Sequence, residues 1–257
     1  MLDLLGYILF VFAGLFFGLF GSGGSIIIIP ILIYIFKVSI YEATTYSLLL
    51  VFLISLIGTI KHMKKQNLKI QGILIFIIPT IIFTVISRVF LFPAIPDYIE
   101  IFNSTKESLL MMLFSGVILL SSLSLLRSKP IVTKSNFQVI LLSIGVLVGL
   151  LTGLLGIGGG FIILPALVLF TGMNMRQAAS STLFIIMLNT FMAIIVEFTV
   201  FQFQFHIGFV LLLLLSALIG TFIGVYLLDK LDQNIIKKLF SIALLFLSLV
   251  IFLVELI

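Results

Sequence analysis

Six runs of roughly 20 apolar residues, at 40–60, 68–92, 107–126, 178–199, 207–228 and 235–256, leave this chain few ways to fold. Each run is long enough to cross a hydrocarbon layer about 30 Å thick as a helix. Two further apolar regions, 4–36 and 137–172, are interrupted by glycine clusters. Of the 257 residues, 62% are hydrophobic and 9% charged, whereas a soluble domain carries roughly 25% charged residues. With a mean hydropathy of +1.44, a water-soluble globule is excluded. The runs lack an amphipathic period, as expected of helices surrounded by lipid and protein. A β-barrel would show alternating segments of about 10 residues instead. The chain reads as an all-α polytopic membrane protein.

Composition closes other routes. The absence of cysteine removes disulfides, thiol chemistry and Cys-held metal centres, and no metal, cofactor or catalytic group is expected. The net charge of +5 does not indicate a nucleic-acid partner, because the basic residues sit in short gaps between apolar runs. Met1-Leu2-Asp3 lacks the positive lead of a secretory signal, so the first apolar region is expected to stay in the mature fold.

Shifted by 135 residues, the sequence matches itself without a gap across 14–48. Gly14, Gly18, Gly21, Gly23 and Gly24 fall on Gly149, Gly153, Gly156, Gly158 and Gly159, and Pro30 falls on Pro165. Matches of Leu and Ile are cheap in so apolar a chain. Five glycines and a proline in register are not, and they mark an internal duplication. The expected halves are 1–126 and 137–257, joined by a connection at 127–136. Each half holds one glycine-broken hairpin (4–36, 137–172) and three helices.

These residues carry a resemblance. Gly21-Ser22-Gly23-Gly24-Ser25 with Pro30, repeated as Gly156-Ile157-Gly158-Gly159-Gly160 with Pro165, resembles the TauE/SafE family of sulfite exporters. Ala43-Thr44-Thr45-Tyr46-Ser47-Leu48 and Ala178-Ala179-Ser180-Ser181-Thr182-Leu183 are similar to that family's Ser/Thr-rich entry into the next helix. The resemblance implies a membrane transporter that moves sulfite, thiosulfate, sulfoacetate or related sulfur-containing anions across the bacterial inner membrane.

Lys and Arg in short loops mark the cytoplasmic side. Lys61, Lys64, Lys65 and Lys69 mark one such loop, Arg127, Lys129 and Lys134 a second, and Lys230, Lys237 and Lys238 a third. The loops 93–106 and 198–206 are poor in basic residues and are placed outside. The second half therefore needs an odd number of crossings between 134 and 200. Helix 178–199 supplies one, so 137–172 must return to its own side as a re-entrant hairpin. The same logic makes 4–36 a hairpin and puts both termini outside. Three full crossings per half then run the halves in opposite directions, an inverted-topology repeat of the kind secondary transporters use.

A backbone that leaves the helix inside hydrocarbon is tolerated only when buried in protein or facing a watery cavity. Glycine permits the turn and lets a ligand approach the main chain. The segments Ser25–Phe36 and Phe161–Phe170 are too short to span and suit half-helices. Their N-termini offer free N–H groups and positive dipole ends, which together make an anion site without a buried cation. The expected substrate-binding residues are Gly21, Ser22, Gly23, Gly24 and Ser25, with Thr44, Thr45 and Ser47. From the second half they are Gly156, Ile157, Gly158, Gly159 and Gly160, with Ser180, Ser181, Thr182 and Asn189. Hydroxyls often bond to their own helix carbonyls instead. Pro30, Pro79 and Pro165 are expected to shape helices rather than touch substrate.

Arg88 is the one basic residue well inside an apolar run, a candidate gate or ion pair. The expectation is that it snorkels outward to Asp97 or Glu100. Glu42 and Glu197 fall near outer helix ends and are expected to be solvated. His62 and His206 lie at boundaries, so no residue stands out for proton coupling. An intramembrane serine hydrolase built on Ser22 would need a His at the same depth, and no Gly-Lys-(Ser/Thr) follows the glycines to form a phosphate loop. The reading is a secondary transporter, most simply an exporter, of a small sulfur-containing oxyanion working by alternating access in the lipid bilayer. An anion channel and a non-transporting assembly subunit are the alternatives. A homodimer is compatible with this reading and not required by it.

Overall fold

A computed structural model describes residues 2–21, 24–64, 73–99, 104–127 and 137–256. The first part comprises α1 (Leu2–Phe20), α2 (Gly24–Pro30) and a π-helical continuation Ile31–Ile35, then α3 (Ile40–Lys64) and α4 (Leu74–Ile86). A second π-helical turn, Ser87–Leu91, links α4 to α5 (Phe92–Ala94). A two-residue antiparallel ribbon, β1 (Tyr98–Ile99) with β2 (Ser104–Thr105), precedes α6 (Lys106–Arg127). The second part comprises α7 (Phe137–Leu155), α8 (Gly160–Thr171), α9 (Met175–Thr199), α10 (Ile207–Lys230) and α11 (Gln233–Leu256). Residues 68–72, expected to open the third apolar helix, and 128–136 of the connection lie outside the described residues.

Helices dominate because a chain this apolar must satisfy its backbone internally. Among the described residues, seven helical spans are long and apolar enough to cross a membrane: α3, α4 through α5, α6, α7, α9, α10 and α11. The chain is a multi-pass membrane protein. The helices α3 and α9 are the most enclosed, each 67% buried, against 28% for α11. They form the centre, and α10 and α11 turn Leu211, Leu215, Phe222, Phe246 and Leu253 outward as an apolar belt.

Packing between the two parts is reciprocal. Helix α1 lies along α10, and α7 lies along α4. A methyl on Gly18 would meet the Thr221 carbonyl at 2.3 Å and Val225 N at 2.6 Å. A methyl on Gly153 would meet the Thr84 carbonyl at 2.5 Å and Arg88 N at 2.9 Å. Small residues thus let the backbones touch, as expected where lipid leaves no hydrophobic drive for association. The remaining large contacts join α3 to α9 and α6 to α11. Phe52 stacks near Phe191 while Tyr41 reaches Glu197, so α3 and α9 run antiparallel. Ser122 donates to the Ser241 carbonyl, and Met112 faces the same cleft as Phe252, so α6 and α11 do as well.

Both glycine-broken regions double back. Tyr7 and Phe10 near the start of α1 pack edge-on against Phe36 at the end of the returning arm. The second arms are short, 7 residues of α2 plus 5 of the π turn, and 12 residues of α8. The first arms are long at 19 residues each, about 28 Å at 1.5 Å per residue.

Candidate functional site

Gly21 and Gly156 end α1 and α7 with φ of +69° and +68°, a left-handed conformation that glycine adopts without penalty. Each presses against the other part of the chain. A methyl on Gly21 would sit 2.2 Å from the Ala179 carbonyl, and one on Gly156 would sit 2.6 Å from the Thr44 carbonyl. Ala179 and Thr44 are themselves counterparts in the 135-residue repeat. Gly158 lies between Val51 of α3 and Ile186 and Thr190 of α9, so the second turn reaches the central seam. Ser22 and Gly23 of the first turn lie outside the described residues.

The hydroxyls divide into two groups. Thr44 Oγ1 and Thr45 Oγ1 each donate to the Tyr41 carbonyl at 2.9 Å, and Ser180 Oγ donates to the Arg176 carbonyl at 2.8 Å. These side chains bond to their own helices. Ser47 Oγ, Thr182 Oγ1 and both polar atoms of Asn189 are buried without a hydrogen-bond partner. Ser47 and Thr182 are repeat counterparts. The large majority of buried side-chain polar atoms are paired, so matched orphans on the two central helices stand out. Thr152 Oγ1 is a further orphan, 2.7 Å from where a methyl on Gly159 would lie at the start of α8.

Arg88 does not snorkel. It is fully buried, and its Nε donates to Glu197 Oε1, whose side chain is also fully buried. Nη1 donates to Thr44 Oγ1 at 3.1 Å and to the Gly153 carbonyl at 3.4 Å, and Nη2 donates to Thr45 Oγ1 at 2.8 Å. Tyr41 OH donates to Glu197 Oε2 at 3.2 Å. The reason for the inward course is local. The π-helical turn Ser87–Leu91 inserts one residue per turn, and Gly153 lets α7 approach Arg88 closely enough to offer a carbonyl. The Phe92 ring caps the guanidinium at 4.4 Å, with Lys106 Nζ 4.0 Å from the same ring.

Glu197 is therefore not solvated, whereas Glu42 is exposed and bonded to Ser39. Asp97 does not meet Arg88; its carbonyl accepts from Lys106 N, and Glu100 lies outside the described residues. Glu197 and Tyr41 are the residues that sequence reasoning missed. A signal was present: one lone cation and one lone carboxylate, each near the same end of an apolar helix, with no partner in its own segment. The loop 200–206 covers the pair, with Phe203 N donating to the Glu197 carbonyl at 3.1 Å and its ring packed edge-on to Tyr41 and Tyr46.

A family model for sulfite exporter TauE/SafE matches residues 7–251. The chain belongs to this TauE/SafE family. Over 175 residues it is 29% identical to a "Probable membrane transporter protein" of Methanocaldococcus jannaschii, covering 65% of this chain and 60% of that relative. It is also 26% identical over 216 residues to the "Probable membrane transporter protein YunE" of Bacillus subtilis, covering 72% of this chain and 76% of YunE. The chain thus spans about three fifths of the archaeal relative it matches. No solved structure matches it significantly. Within this TauE/SafE member, the glycine repeat around Gly21 and Gly156 coincides with the breaks that follow α1 and α7.

Proposed function

We propose that this TauE/SafE member is a secondary transporter, in the exporting sense, of small sulfur-containing anions such as sulfite, thiosulfate or sulfonates. The observation that carries the reading is a set of buried orphan polar groups on the two central helices: Ser47 of α3, its repeat counterpart Thr182 of α9, and Asn189, which follows Thr182 on α9. Hydroxyl and amide donors beside a half-helix N-terminus suit an oxyanion. The candidate site residues Gly21, Gly24, Ser25, Thr44, Thr45, Gly156 to Gly160, Ser180 and Ser181 belong to the two turns and to the starts of the helices that follow them, and Ser22 and Gly23 join the proposal from the sequence alone.

Antiparallel packing of counterparts supports an inverted repeat. A two-fold axis that turns α3 onto an antiparallel α9 must lie across the helices, hence in the membrane plane if the helices span it. Alternating access then follows as a rocking of the two parts about the seam. Charge supports the orientation: 11 of the 14 Lys and Arg fall on one side, read as the cytoplasm of a bacterial cell.

The test is counterflow in proteoliposomes. Labelled sulfite or thiosulfate outside should accumulate transiently when the vesicles are preloaded with the unlabelled anion, a result that a carrier produces. Flux without counterflow would mean a channel. No flux with either anion would favour the assembly-subunit alternative.

A further inference from the structure

We propose that Glu197 is a displaceable internal counter-anion for Arg88, and that substrate takes its place when Glu197 binds a proton, so that one proton travels with each anion. This rests on the transporter reading above and deepens it by assigning the coupling ion. Both side chains are wholly excluded from solvent, and a buried guanidinium without a counter-charge costs several kcal/mol. Arg88 must therefore keep an anion at every stage. Glu197 fills that role in this state.

The geometry leaves room for an exchange. Carboxylates held by arginine for structure alone favour two parallel N–H bonds from the guanidinium fork. Glu197 instead receives Nε, while Nη1 and Nη2 point to the neutral hydroxyls of Thr44 and Thr45 and the Gly153 carbonyl. An oxyanion can take those N–H groups without first breaking a second ion pair. The position also fits. Thr44 packs against Gly156, and the orphan Thr152 Oγ1 lies by Gly159 at the start of α8, so the guanidinium adjoins the second glycine turn.

The pair is not demanded by packing. Val225 stands to Gly18 as Arg88 stands to Gly153, and Ala179 stands to Gly21 as Thr44 stands to Gly156. Among the described residues the other end holds no ion pair of this kind: Arg176, the counterpart of Tyr41, reaches the Leu228 carbonyl at 3.3 Å instead. What differs between the ends is chemistry rather than shape.

The proton count balances. At rest the site holds one guanidinium and one carboxylate. A proton from water adds to a Glu197 carboxylate oxygen, and the neutral acid keeps its contacts with Tyr41 and Thr45. A monoanion such as a sulfonate then pairs with Arg88 and the site is neutral again, whereas dianionic thiosulfate with the same one proton leaves it with a single negative charge. On release the proton leaves Glu197 for water on the far side and the carboxylate recovers Arg88. Among the described residues, the titratable and charged groups facing Glu197 are Arg88 beyond α4 and Tyr41 of α3, with Lys106 of α6 reaching the shared Phe92 ring. From α7 only the Gly153 carbonyl contributes, through Arg88. His206 in the covering loop is exposed.

Proton uptake on anion binding tests this directly. Purified protein in weakly buffered detergent, with a pH-indicating dye, is titrated with thiosulfate and with methanesulfonate, neither of which takes up protons near neutral pH. The wild type should take up about one proton per anion bound, and its affinity should fall up to tenfold per pH unit on the alkaline side. Glu197→Gln should bind the anion with no proton uptake and no pH dependence. Glu197→Asp should keep the uptake at a shifted pH, and Arg88→Gln/Glu197→Gln should fold and bind neither probe. Wild-type binding without proton uptake overturns the proposal even where a variant fails to fold, as does full uptake in Glu197→Gln. Uptake on binding with no counterflow in vesicles overturns the transporter reading and leaves the exchange standing. Failure of both probes to bind at any pH overturns the exchange.

Discussion

Arg88 and Glu197, 109 residues apart in sequence, form an ion pair wholly excluded from solvent across the α4 and α9 contact. Each side chain lies at the end of a helix where an apolar chain ordinarily sheds its charges into water. Here the close backbone approaches of α7 to α4 leave no aqueous route between them. The pair ties α3, α4, α7 and α9 together through Thr44, Thr45 and the Gly153 carbonyl.

Breaking the pair from one side should be worse than removing it altogether. Arg88→Ala leaves Glu197 buried and uncompensated, and its thermal unfolding in detergent should show a loss of roughly 3–5 kcal/mol. The neutral double variant Arg88→Gln/Glu197→Gln should lie closer to the wild type than Arg88→Ala does. A double variant as unstable as the single would show that the charges are not coupled.

The orphan hydroxyls predict opposite signs for stability and activity. Ser47→Ala and Thr182→Val remove buried hydroxyls that have no hydrogen-bond partner, each of which costs about 1–3 kcal/mol. Melting temperatures should hold or rise, and counterflow of labelled thiosulfate should fall. A fall in both would assign these residues to packing instead.

Two left-handed glycines separate conformational strain from close contact. Gly156 and Gly172 have φ of +68° and +67°, but a methyl on Gly172 would meet nothing within 4 Å. Gly172→Ala should cost roughly 1–2 kcal/mol for the backbone alone. Gly156→Ala should cost about 1–3 kcal/mol more because the Thr44 backbone must shift. Paired melting curves in the same detergent read the difference.

The natural absence of cysteine makes orientation directly measurable. Single cysteines at the exposed positions Gln204 and Asn234 should be labelled by a membrane-impermeant maleimide from opposite sides of inverted and right-side-out vesicles. Gln204→Cys should react from outside the cell and Asn234→Cys from the cytoplasm. Labelling of both from one side would sink the assigned topology.

Much of the architecture was legible because membrane helices are local objects. Apolar runs near 20 residues imply spans, and glycines in register imply repeated turns, whatever the rest of the chain does. The helix breaks at Gly21 and Gly156 could be read for that reason. The expectation that hydroxyls would line the site divided at the level of single atoms: Thr44, Thr45 and Ser180 bond to helix carbonyls, while Ser47 and Thr182 stay unpaired. Residues that share a helix and a composition differ only in which way the helix face points.

The few charges divide along the same line. Their placement along the chain carries the expected orientation of the loops, since positive-inside bias acts on each short segment by itself, and the cysteine labelling tests it. Whether Arg88 reaches water or a carboxylate could not be decided so locally. Its partner Glu197 is brought to it only by the antiparallel seat of α9 on α3 and the glycine contact between α7 and α4. Charge count and helix positions were properties of the sequence; the pairing was decided by tertiary packing, because an ion pair's free energy depends on distance and on the exclusion of water, and neither is written in any one segment.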